Sequence, residues 1–127
     1  MENKYFFEKH IEFADLIISS FGDLIPIFET GKKPNPLMSA AVIFVINLLG
    51  QILELFPEVL FAQSEYKYTK NELLTSFSSL KSCWEPDGKN IGVFLDEWYS
   101  FRFWWDEFRK QNEIIMKNAQ PFYMSLN

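Results

Sequence analysis

Apolar residues return at helical spacing in several stretches of the chain, separated by short polar breaks. Between about Lys4 and Phe21, the residues Phe7, Ile11, Ala14, Ile18 and Phe21 recur at i, i+4, i+7, i+11 and i+14, and Phe6, Phe13 and Ile17 widen the stripe. That spacing gathers them on one side of a helix. Glu8, Glu12, Asp15 and Ser19 fall opposite, either as a solvated face or as a contact surface for a basic partner. Gly22 suits the left-handed residue that ends many helices. Asp23 to Thr30 is short, apolar and broken by Pro26, which predicts a packed connector rather than a strand. Gly31 to Pro36, with one glycine and two prolines, reads as a loop.

The next stretch dominates the pattern. Leu37 to Phe56, LMSAAVIFVINLLGQILELF, carries no charge as far as Leu53. Asn35 can cap its first turn, and Pro36 at the first helical position has no N–H to leave unpaired. Pro57 stops or kinks it, with a short continuation expected to Ser64. A helix this apolar requires cover from other helices or from lipid. In its second half, Asn47, Gln51, Glu54 and Glu58 draw a polar line at i, i+4, i+7 and i+11. The uncharged run is also a little shorter than the roughly 20 residues of a typical span. Three other amphipathic helices need a partner, so burial inside a soluble bundle is favoured. A small membrane protein with one span at 37–56, flanked by Lys32 and Lys33, is an alternative. A carboxylate on a buried helix needs a counterpart, and Glu54 is expected to pair with Arg102, Arg109 or a buried hydroxyl.

Downstream, Thr69-Lys70-Asn71-Glu72 has the spacing of a capping box and predicts a helix start, followed by the stripe Leu73, Phe77, Leu80 and Trp84. Glu85-Pro86-Asp87-Gly88 is a turn by composition. A last long helix is predicted from Asn90 or Ile91 to Asn118, with Pro121 and the tail beyond it. The expected fold is all-α: a compact bundle of four main helices with short helical connectors, as a single domain over 1–127.

Composition narrows the chemistry. Aromatic residues make up 18% of the chain, including fourteen Phe and four Trp, enough to dominate a core and still supply an interface. The net charge of −5, with only Arg102 and Arg109 as arginines, argues against nucleic acid as a ligand. His10 is the sole histidine, so no two-histidine metal site can form within one chain. Cys83 has no partner for an internal disulfide, which suits a reducing compartment. The first residues interleave charges with apolar groups and lack the apolar run of a signal peptide, so the expected location is cytoplasmic. No phosphate-binding loop or nucleophile arrangement is present, and neither a cofactor nor a metal is expected.

The final helix carries the candidate site. Ile91, Phe94, Leu95, Trp98, Phe101, Trp105 and Phe108 share its broad inner side. Tyr99 and Phe103 point away from it, and Trp104 lies beside the stripe. Such rings exceed what one small core absorbs and predict an interface. The expected function is that of a small intracellular, non-enzymatic protein-binding module that masks a surface of a partner, in the manner of an inhibitor or immunity protein, bacterial or phage-borne. Its contact residues would be Tyr99, Phe103 and Trp104, with Glu8, Glu12 and Asp15 as a second candidate surface, and its partner another protein or a second copy. The other alternative is a helical sensor holding a small anion between Arg102 and Arg109. Local pairing with Asp106 and Glu113 would instead account for both arginines.

Overall fold

The computed structural model describes the backbone of residues 2–56 and 64–126, and the side chains of residues 8–56, 65–114 and 117. Among these residues the fold is all-helical, as the apolar periodicity requires. Its elements are α1 (Glu2–Gly22), α2 (Ile25–Glu29), α3 (Pro36–Glu54), α4 (Ser64–Cys83) and α5 (Ile91–Leu126). α2 is the connector around Pro26, a helix of five residues with the proline in its first turn. At the start of α3 the side chain of Asn35 accepts a hydrogen bond from the Met38 N–H at 2.7 Å, with Pro36 in the first helical position. The cap read from the sequence is the cap that forms.

Gly22 is the last residue of α1 and does not take the left-handed conformation expected of it, and two boundaries differ from the reading above. α4 starts at Ser64, so Thr69 lies inside the helix rather than at its N-cap. Its hydroxyl donates to the carbonyl of Glu65 at 2.8 Å, one turn back. A threonine hydroxyl serves equally well as a cap or as a bond to the preceding turn, and the running helix selects the second. α5 continues through Pro121 to Leu126 instead of ending at Asn118. The continuation expected over Pro57 to Ser64, the polar residue Glu58 and the stripe residues Phe6 and Phe7 lie outside the described residues or side chains.

α4 and α5 form a helical hairpin across the turn at Trp84 to Asn90 and make the most extensive packing in the molecule. α1 packs mainly on α3, and α2 lies against α5. The turn is fastened to the loop before α3. Ser39 donates from Oγ to the Pro86 carbonyl at 2.7 Å. Gly88 has φ +80, and a Cβ there would sit 2.9 Å from Cδ of Pro34, so the backbone geometry and the close approach both call for glycine.

Half of the buried hydrophobic side chains among the described residues are aromatic. At one end Phe28, Trp84 and Phe94 meet in tilted and edge-to-face contacts, with Trp84 and Phe94 centroids 5.0 Å apart, and Phe21 lies 4.9 Å from Trp98. At the other end Phe56, Tyr66, Trp105 and Phe108 meet, with Phe56 to Phe108 at 5.3 Å and Tyr66 to Phe108 at 5.5 Å. Trp98, Phe101 and Trp105 are buried, as expected of the inner side of α5.

α3 departs most from expectation. Among the described residues only α1 and α4 approach it closely, and much of its other face is exposed. Leu37 is 81%, Phe44 68% and Leu55 63% exposed. The expectation that other helices would surround it fails, because a bundle of this size covers one side only.

Candidate functional site

The outer face of α5 is built from residues that the inner stripe leaves over. At 100° per residue, Asp96, Tyr99, Phe103, Glu107, Lys110 and Ile114 lie within one arc opposite the buried Phe94, Phe101, Trp105 and Phe108. Tyr99 is 51% and Phe103 55% exposed, while Trp104 is half-buried at the edge. Phe103 and Trp104 meet edge to face at 5.2 Å, and Trp104 meets Tyr68 of α4 at 6.1 Å. Tyr99 donates its hydroxyl to Oε1 of Glu29 at 2.7 Å. That hydrogen bond is the first cause holding the phenol above its ordinary pKa. The rings are therefore positioned, and their faces remain open to solvent.

Sequence reasoning missed Tyr68. A helix begun at Thr69 excludes it, whereas a helix from Ser64 turns it outward beside Trp104.

The predicted acidic row divides. Glu8 and Glu12 are exposed, and Glu12 accepts from Lys9 at 3.2 Å. Asp15 turns toward the bundle. Its Oδ1 accepts from Trp105 Nε1 at 2.8 Å, and its Oδ2 accepts from Arg109 at 3.3 Å. This contact ties α1 to α5 and makes Asp15 a structural residue in the bundle.

The arginines are likewise engaged. Arg102 pairs with Asp106 at 3.6 Å, as the i+4 spacing suggested. Arg109 pairs with Asp15 at 3.3 Å and with Asp106 at 3.7 Å, rather than with the exposed Glu113. Two guanidinium groups face two carboxylates, so their charge is balanced within the protein. Glu54 is not part of this set. It is exposed on α3, and the pairing expected with Arg102, Arg109 or a buried hydroxyl gives way to solvent.

The outer face of α3 is the second candidate surface. Inward, Ser39, Val42, Ile46, Leu49 and Leu53 are buried at spacings of three and four residues. Outward, Leu37, Ala41, Phe44, Leu48, Gln51 and Leu55 repeat the same alternation, and all but the half-buried Leu48 are exposed. The helix thus has two seams, one filled by α1 and α4 and one open. At its C-terminal end, Ile52 and Leu55 line an open groove of about 370 Å³ with Lys9, His10 and Phe13 of α1. His10 packs edge to face on Phe56 at 5.8 Å. Among the described residues, no group of three or more His, Cys, Asp or Glu is placed to hold a metal ion.

Comparison with protein-family models, with curated proteins and with solved structures gives no significant match.

Proposed function

We propose that this chain is a small, non-enzymatic protein-binding module that acts inside the cell by masking a surface of a partner protein. The observation that carries the reading is the outer face of α5. There, positioned but open aromatic rings, Tyr99, Phe103 and Trp104 with Tyr68 beside them, alternate with Asp96, Glu107 and Lys110. Aromatic anchors rimmed by charge are the typical make-up of a contact with another protein, and binding energy concentrates in them. The net charge of −5 favours a partner whose rim is basic.

The test is capture of proteins from the source cells on the tagged chain, with Phe103→Ala and Tyr99→Ala as controls. One stoichiometric protein held by the parent and weakened about 30-fold by Phe103→Ala, at an unchanged melting temperature, supports the reading. Equal capture by parent and variants overturns it.

One observation favours a membrane reading. α3 is long and apolar enough to cross a bilayer by length and composition, and only about a third of it is buried. Spanning would strip Val42, Ile46, Leu49 and Leu53 from the core they fill, and the bundle would lose its contacts with α1 and α4. Recovery of folded chain from cells without detergent separates the two readings.

A further inference from the structure

We draw no further inference here: the strongest candidate, the exposed apolar face of α3 around Leu37, Phe44 and Leu55, is an unpartnered helix face, and nothing in the structure shows what covers it.

Discussion

The outer faces of α3 and α5 both expose large apolar side chains, yet they are made differently. On α3 the outward positions are regularly spaced and apolar except for Gln51, and all but the half-buried Leu48 are exposed. On α5 the rings are separated by Asp96, Glu107 and Lys110, and Tyr99 is tethered to Glu29. Surfaces of the first kind resemble a core cut in half and belong to contacts that stay closed; surfaces of the second kind remain soluble when open. Exposure alone does not distinguish them. Spacing and the polar residues in between do.

The comparison depends on the outer rings of α5 being outside the core, and the sharpest way to break it is by truncation. Trp105→Ala on the inner side should cost about 3–5 kcal/mol, whereas Phe103→Ala should stay within about 0.5–1 kcal/mol in chemical denaturation. Similar losses would mean that both sides of α5 serve the fold. Next in size is the tether between α1 and α5. Asp15→Ala leaves the Trp105 N–H without its acceptor and Arg109 with Asp106 alone, and should cost about 1–2 kcal/mol, while Glu12→Ala, one turn away, should lie within about 0.5 kcal/mol. Equal effects would return Asp15 to a solvated row.

A third expectation concerns pH. Burial pushes the Tyr66 phenol well above its ordinary value of 10.0. The unfolded phenol ionises near pH 10 while the folded one stays neutral, so this contribution is complete below pH 10 and declines as the pH rises beyond it. The hydrogen bond from Tyr99 to Glu29 acts in the same direction. Unfolding titrations on either side of pH 10 should show the decline, and Tyr66→Phe should flatten it. Smallest is the polar edge of α3. Glu54→Gln should change stability by less than about 0.5 kcal/mol, since an exposed carboxylate has little to lose. A larger cost would place Glu54 in a contact and shift the boundary of the open seam.

Much of the fold was legible because it depends on neighbours in sequence. The stripes of α4 and α5, the buried Ala14, Ile18 and Phe21 of α1, the Asn35 cap and the turn at Pro86 to Gly88 all follow from spacing and from single-residue backbone preferences, whereas Phe13, read into the α1 stripe, is exposed. The outward positions of Tyr99 and Phe103 followed from the same rotation. Three features were not legible, each for a physical reason. Thr69 has two equivalent ways to satisfy its hydroxyl, and only the helix already running from Ser64 decides between them. The bond between Asp15 and Trp105 joins residues 90 apart, and the helical spacing set Asp15 in the acidic row opposite the stripe. The open side of α3 depends on how many helices the chain can bring to it, whereas hydropathy states only that cover is wanted.

The hairpin of α4 and α5 also bears on how the chain folds. Its two helices are joined by a turn of a few residues and share the densest packing, so their contacts close short loops. The link from Ser39 to Pro86 closes a loop of 47 residues, and the bond from Trp105 to Asp15 closes one of 90. Contacts between near neighbours form early and persist under partial opening, and distant ones form late. The hairpin is therefore expected to act as one cooperative unit, with α1, α2 and α3 as a second unit that opens at lower free energy. Native-state hydrogen exchange would then show slow amides around Leu73, Phe77 and Phe101 outlasting those around Ala14 and Val42. The open seam of α3 would lie on the half of the molecule that comes apart first.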